Sequence, residues 1–182
     1  MDEDQLQRAR GAWRHRGRKR PDGAVEPGPG QESVWDYPRP PAVVEDSRPV
    51  QVWMAGVLVA HSQAAKRVLE TASPPVFYLP PEAVRRDLLR PESRTTFCEW
   101  KGRARYLRVC VADHCVEHAA WCYPEPLAGY EAITDYVAFY PGRVECYVDG
   151  QRVRSQQGGF YGGWVTDEIV GPYKGEPGTL DW

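Results

Sequence analysis

The densest run of reactive side chains lies at residues 96–106, where a thiol and an amine, Cys98 and Lys101, stand three positions apart. A thiol close to a lysine can act as a nucleophile, although a cysteine on a sheet usually serves as inert packing, and packing is the favoured interpretation. Lys101 precedes a glycine turn. It can bind an anion or, if burial lowers its pKa, react with a carbonyl group; an exposed turn lysine is the alternative.

Glu70 and Tyr78 supply a carboxylate and a phenol beside apolar residues. Such a pair can exchange protons with a bound substrate as general acid and base. A structural salt bridge is the favoured alternative role for Glu70. With Cys98 and Lys101, these two residues complete the set of candidate catalytic residues.

Large aromatic side chains accompany this set. Planar ligands bind between aromatic rings, although clustered rings more often belong to a core. The candidate ligand-binding residues are Trp100, Trp121, Tyr123, Arg85 and Tyr106. No metal ligands are assigned and no cofactor is identified, because the chain lacks the phosphate-loop, nucleophile-elbow and zinc-helix motifs.

The five cysteines show no close pair of the zinc-binding type. Their odd number, with no export signal and no long apolar run, predicts free thiols in the cytoplasm. We therefore expect neither a disulfide nor a membrane span.

Turn residues divide the chain into strands that pair as hairpins. Ala55-Gly56 and Asp149-Gly150 suit two-residue turns, and Lys101-Gly102 and Asp113-His114 mark two more. Sequential antiparallel pairing is the default topology. These signals predict a mainly β fold, a β-rich α+β domain whose antiparallel hairpins form a curled sheet or a barrel-like core.

Two short helices are expected to cover the sheet. Residues 81–89 begin with proline and stop before Pro91, and residues 127–136 place apolar side chains at helical spacing. Prolines make residues 33–41 an extended strap across the surface. Residues 158–182 mix glycines with aromatic residues, which predicts irregular backbone packed against the domain.

The N-terminal segment carries charge without apolar periodicity and ends in a Pro/Gly stretch. We expect residues 1–31 to be a disordered basic arm and residues 32–182 to form a single domain. The arm could touch nucleic acid weakly; otherwise nucleic acid is not an expected partner. The sequence leaves the oligomeric state open. The basic residues of the arm are Arg8, Arg10, Arg14, Arg16, Arg18, Lys19 and Arg20.

Four blocks together resemble the bacterial and fungal family known as domain of unknown function 427. In order, these blocks are residues 67–71 (RVLET), 98–102 (CEWKG), 120–126 (AWCYPEP) and 158–164 (GGFYGGW). With the leading segment 32–38, the resemblance runs from residue 32 to the C-terminus. It implies a compact β-rich domain and no settled reaction. Cys122 stands where serine is expected, which argues against a role for a hydroxyl there.

The best-supported function is recognition or conversion of a small ligand in an aromatic-lined cleft, with Lys101 at its mouth. The rival is a non-catalytic interaction module that uses the strap and the C-terminal segment as its surface. A nucleotidyltransferase-style label attached to the family is a further alternative. It would require a D-x-D pair for magnesium, which the chain lacks. Whether the protein is an enzyme is left open.

Overall fold

The chain folds mainly into strands, as predicted, in a computed structural model that describes residues 2–13, 19–176 and 179. These described residues contain one α-helix, α1, at Glu3–Gly11. The strands in chain order are β1 (Glu32–Ser33), β2 (Ala42–Asp46), β3 (Val50–Met54), β4 (Val57–Ser62), β5 (Ala65–Glu70), β6 (Ser73–Leu79), β7 (Leu89–Cys98), β8 (Gly102–Val111), β9 (His114–Cys122), β10 (Val137–Phe139), β11 (Glu145–Val148), β12 (Gln151–Arg152), β13 (Arg154–Ser155), β14 (Trp164–Val165) and β15 (Ile169–Val170).

The predicted hairpins are confirmed. β3 pairs with β4 and β11 pairs with β12, and their turns place Ala55 and Asp149 at φ 48° and 49°. Positive φ is what a two-residue hairpin turn requires. β7 pairs with β8 around Lys101, and β8 pairs with β9. This last turn lies one residue earlier than predicted, with Ala112 at φ 49°.

The largest sheet has seven strands in the order β2-β5-β6-β10-β9-β8-β7, all antiparallel. β10 enters between β6 and β9, which sequential pairing does not predict. The sheet ends at β2 on one side and β7 on the other, so the barrel-like alternative is wrong and the sheet is open. A second sheet of four strands has the order β12-β11-β3-β4.

The core lies between these two sheets and the candidate site lies on the opposite face of the larger one. Successive side chains of a strand point to opposite faces. Phe77 therefore enters the core, where its ring stacks on Trp164 at 4.9 Å between centroids, whereas Tyr78 enters a separate aromatic cluster. Trp121 belongs to the same aromatic cluster as Tyr78.

The two predicted helices are wrong. They are replaced by single 3-10 turns at Pro81–Ala83, Arg86–Leu88 and Glu131–Ile133. Val84 takes extended backbone and bridges to Ala60 of β4, which ends the first turn. Tertiary strand pairing thus overrides a weak local helical pattern.

The expectation of no disulfide is also wrong, because Cys110 and Cys115 are bonded. The turn between β8 and β9 places them directly opposite each other, with Cα atoms 4.1 Å apart. The four residues between the two cysteines form a tight hairpin turn, which makes the cysteines cross-strand neighbours. The sequence spacing alone does not predict this pairing. Cys98, Cys122 and Cys146 are free.

The N-terminal segment contains more structure than predicted. The Asp2 side chain caps α1 by accepting a hydrogen bond of 2.8 Å from the backbone N–H of Gln5. The side-chain oxygen of Gln5 in turn accepts one of 3.2 Å from the backbone N–H of Asp2, so local capping favours a helix. Arg10 donates to the backbone oxygen of Glu99 at 2.9 Å and ties the helix to the β7–β8 turn. The centre of the basic cluster, residues 14–18, lies outside the described residues, and a domain boundary at residue 31 stays a prediction.

The strap crosses the surface with Asp36, Pro38 and Pro40 exposed and its aromatic side chains turned inward. Trp35 and Tyr37 are 1% and 5% exposed and pack in a third cluster with Ile169. β1 at the start of the strap pairs in parallel with β15 of the C-terminal segment, so the two segments fold together. Within the described part of the chain, no helix has the length and hydrophobicity needed to cross a membrane.

Candidate functional site

A cavity of about 280 Å³ lies against the aromatic face of the seven-stranded sheet. One side of it, which we term the sheet wall, comes from β5 to β9 and the β7–β8 turn. The other side, which we term the loop wall, comes from residues 156–174 and from Trp13 of the N-terminal arm. The sheet wall includes Glu70, Tyr78, Cys98, Lys101, Tyr106, Trp121 and Tyr123, and the loop wall includes Trp13, Gln156, Phe160, Tyr161, Gly162, Gly163 and Lys174.

All four candidate catalytic residues line this one cavity, together with three of the five candidate ligand-binding residues. The other two lie elsewhere. Arg85 is exposed and pairs with Asp87 at 2.6 Å, whereas Trp100 is buried beneath Arg10, whose guanidinium carbon lies 5.0 Å from the ring centroid. The prediction that Arg85 and Trp100 contact a ligand therefore has no geometric basis in this cavity.

Lys101 lies in the sheet wall and is only 8% exposed, so the alternative of an exposed turn lysine is wrong. Its backbone oxygen accepts a hydrogen bond of 3.1 Å from Leu127, which holds the turn inward. Its Nζ lies 3.7 Å from Oε2 of Glu70. Burial alone would lower the pKa of Lys101, but Cys98 and Glu70 outweigh burial and raise it well above the ordinary value.

Glu70 joins the sheet wall to the strap. Its Oε1 accepts a hydrogen bond of 3.1 Å from Nη2 of Arg39, and the same nitrogen donates to the backbone oxygen of Thr71 at 3.0 Å. The predicted salt bridge of Glu70 is thus present, and it involves two cations, Arg39 and Lys101. The carboxylate fixes the positions of both.

Tyr78 and Trp121 form the floor of the sheet wall. Nε1 of Trp121 donates to the Tyr78 hydroxyl at 3.3 Å, and the rings meet edge-on at 6.2 Å. Burial raises the pKa of Tyr78 to about 12, against the opposing effect of the Lys101 charge. Burial also raises the pKa of Tyr123. Both phenols are therefore neutral near pH 7 and can donate hydrogen bonds.

Lys174 faces the cavity from the loop wall. Its backbone is held by a 2.7 Å bond to the oxygen of Ala72 and a 2.6 Å bond from Gln156. Its Nζ lies 3.1 Å from the ring centroid of Trp13 and 5.6 Å from that of Tyr161. Burial, followed by the positive charge of Arg39, lowers the pKa of Lys174 to about 8.

Trp13 covers this side of the cavity. Its Nε1 donates to Oε1 of Glu99 at 2.8 Å. The guanidinium carbon of Arg39 lies 3.8 Å from the ring centroid, so the indole contacts two cations, Arg39 and Lys174. Cations over an indole face are attracted by its electron density.

The family described as Domain of unknown function (DUF427) matches residues 42–150. The chain belongs to this family. The matched residues contain the whole sheet wall of the cavity, whereas the loop wall lies on either side of the match. No curated protein matches the DUF427 chain.

Sequence reasoning missed several residues of this DUF427 site, above all Trp13, Arg39 and Lys174. Trp13 gave one usable signal, because a single large aromatic residue in a polar segment needs a packing partner. Nothing local in the sequence marks Arg39 or Lys174. Across the described ranges, no group of three or more His, Cys, Asp or Glu side chains could hold a metal ion.

The glycine-rich block of the loop wall is confirmed as a place of close backbone approach. A Cβ atom built on Gly162 would lie 2.2 Å from the Trp121 ring, and one built on Gly163 would lie 2.3 Å from Oε1 of Gln156. Only glycine lets the loop wall come this close to the sheet wall.

Proposed function

We propose that the cavity binds a small molecule with an anionic or carbonyl oxygen, anchored by Lys101 and held between aromatic rings. One observation carries this proposal. The Lys101 ammonium is buried in the wall, and among the described residues its only carboxylate neighbour lies at 3.7 Å, beyond hydrogen-bonding distance. Its surroundings keep this ammonium protonated, and its three N–H donors can bind an acceptor oxygen of a ligand in the cavity.

The cavity suits a ligand of modest size. Its volume of about 280 Å³ is near the lower end of small-molecule sites, which span roughly 300–1,000 Å³. Tyr78, Tyr106, Trp121 and Tyr123 give it apolar walls with hydroxyl groups as further hydrogen-bonding partners. This combination favours a planar or short-chain metabolite over a polymer.

The rival interaction module has less support. Trp35 and Tyr37 of the strap are buried inside the domain and cannot serve as a docking surface without unfolding it. Nucleotidyl transfer is retained as one outcome of the screen below. A cytoplasmic location stays a prediction.

A thermal-shift screen tests the proposal. Small carboxylates, phosphates, aldehydes and nucleotides with magnesium are added to the wild-type protein, to Lys101→Met and to Lys66→Met. Lys66 is the matched control because its Nζ bonds to the oxygen of Ala132 outside the cavity. A ligand at about 100 times its dissociation constant stabilises the folded state by about 2.7 kcal/mol.

We expect at least one class of anionic or carbonyl compound to raise the melting temperature of the wild type and of Lys66→Met, and to lose its effect on Lys101→Met. Lys101→Arg keeps the charge and should retain part of the effect, which guards against a Met variant that folds poorly. A ligand shift that survives in a folded Lys101→Met, or no shift with any class, overturns the proposal. A shift with nucleotide and magnesium alone would favour nucleotidyl transfer.

A further inference from the structure

The second lysine of the cavity stands in different surroundings from the first. Lys174 projects between the rings of Trp13 and Tyr161. Among the described residues it forms no salt bridge, whereas Lys66 pairs with Glu45 and Lys101 with Glu70. No carboxylate therefore lies in contact with its amine, which faces two aromatic rings and the cavity.

The charged groups around Lys174 come from three other elements. Arg39 approaches from the strap, Glu70 from β5 and Glu99 from the β7–β8 turn. Burial and Arg39 act against the ammonium, the two carboxylates act for it, and the resulting pKa of about 8 leaves roughly one amine in ten unprotonated at pH 7. An ordinary lysine is neutral in fewer than about one molecule in a thousand at that pH.

We infer that Lys174 is a nucleophilic amine that forms an imine with a small aldehyde or 2-oxo acid bound in the cavity. The nitrogen lone pair attacks the carbonyl carbon, a C–N bond forms, and one amine proton passes to the carbonyl oxygen. The remaining amine proton then leaves with that oxygen as water, giving a C=N bond. Amine and carbonyl thus yield imine and water with no oxidant or metal.

The two lysines would contact different groups of such a ligand. Lys101 stays protonated and can hold the carboxylate of a 2-oxo acid, while Lys174 reacts with its carbonyl carbon. This division rests on the proposed function. The nucleophilic character of Lys174 does not, because a neutral aldehyde needs no ionic anchor.

Reductive trapping tests the inference on the full chain. The protein is incubated near pH 7 with glyoxylate or with acetaldehyde in the presence of cyanoborohydride, and modified residues are mapped by peptide mass spectrometry. The chain has four lysines, Lys19, Lys66, Lys101 and Lys174, so the assignment is simple. The N-terminal amine, which titrates near pH 8 in most proteins, is separated in the same map.

We expect Lys174 to be modified at least about tenfold faster than Lys66 or Lys19, because it holds far more neutral amine. Lys174→Arg, which keeps the charge, should lose this fast modification, and Lys66→Arg should keep it. Circular dichroism confirms that each variant is folded, and a Lys174→Met variant replaces the Arg variant if that fails.

The two aldehydes separate this inference from the proposed function. If acetaldehyde modifies Lys174 rapidly but glyoxylate reacts no faster with the wild type than with Lys101→Met, the ionic anchor is wrong and the nucleophilic role of Lys174 is supported. If glyoxylate is preferred in the wild type and the preference disappears in Lys101→Met, both stand. If neither aldehyde modifies Lys174 faster than Lys66, the inference is overturned.

Discussion

Lys101 and Lys174 line the same cavity, yet their surroundings shift the pKa values of their amines in opposite directions. Burial would lower both. In the sheet wall, Cys98 and Glu70 outweigh burial and raise the pKa of Lys101. In the loop wall, Arg39 adds to burial and lowers the pKa of Lys174 to about 8. Burial is the largest cause at Lys174, where Glu70 and Glu99 oppose it only in part, so the balance between burial and neighbouring charges decides in which direction the pKa of a lysine shifts.

The largest expected effect comes from forcing the two walls apart. Gly162→Ala places a methyl group where the Trp121 ring now lies, at 2.2 Å. We expect the free energy of unfolding to fall by about 2–3 kcal/mol, as overpacked interiors do, when it is measured by urea denaturation. Gly142→Ala is the control, because its Cβ would meet only Ser155, at 3.4 Å. Equal stability of the two variants would mean that the walls are not in contact as described.

Replacing each lysine by methionine should change the free energy of unfolding by different amounts. Lys101→Met removes a buried partner of Glu70, which Arg39 still contacts, so we expect a loss of about 1–2 kcal/mol, less than for a carboxylate left with no partner. Lys174→Met removes a partly buried charge that burial and Arg39 disfavour, so its unfolding free energy near pH 7 should not fall and should rise by up to about 1 kcal/mol. Equal losses in both variants, measured by chemical denaturation, would contradict the comparison.

The pH dependence of stability should carry the signature of Lys174. Its amine loses its proton near pH 8 in the folded state but only near 10.5 in the unfolded chain. Between these values the unfolded state binds more protons, so stability rises with pH. Across this pH window we expect the free energy of unfolding of the wild type to rise by about 1 kcal/mol more than that of Lys174→Met, allowing for solvent screening. Parallel curves for the two proteins would count against the assignment.

The smallest effect on stability should come from the cover of the loop wall. Trp13→Ala removes the hydrogen bond to Glu99 and the ring between Arg39 and Lys174. We expect the melting temperature to change little but a protease to cleave the N-terminal segment several times faster. Trp13→Phe keeps an aromatic ring but not the hydrogen bond to Glu99, so its cleavage rate should lie between those of the wild type and Trp13→Ala. Val25→Ala, at an exposed site, serves as control. Unchanged cleavage of Trp13→Ala would show that the arm is held by other contacts.

The parts of this fold that sequence could predict are those with local causes. The hairpins around Ala55 and Asp149 follow from turn residues that tolerate positive φ. The grouping of Glu70, Cys98 and Lys101 followed from reactive residues near strand ends, and the structure brings them to one cavity. Their catalytic roles are still predictions.

The parts that sequence could not predict depend on contacts between distant segments. Trp13 reaches Glu99 across 86 positions, and Lys174 acquires its low pKa from Arg39, which lies in a different segment. The disulfide of Cys110 and Cys115 depends on hairpin register, which only the structure fixes. Local sequence patterns carry no information on such long-range contacts.

A direct titration of the lysine side chains by NMR tests the central claim. With ¹⁵N-labelled lysine, four side-chain signals are expected and can be assigned by single Lys→Arg variants. We predict that the Lys174 signal titrates near pH 8 and that the Lys101 signal keeps its proton beyond about 10.5. Titration of both signals together near the ordinary lysine value, or of Lys101 before Lys174, would contradict the account.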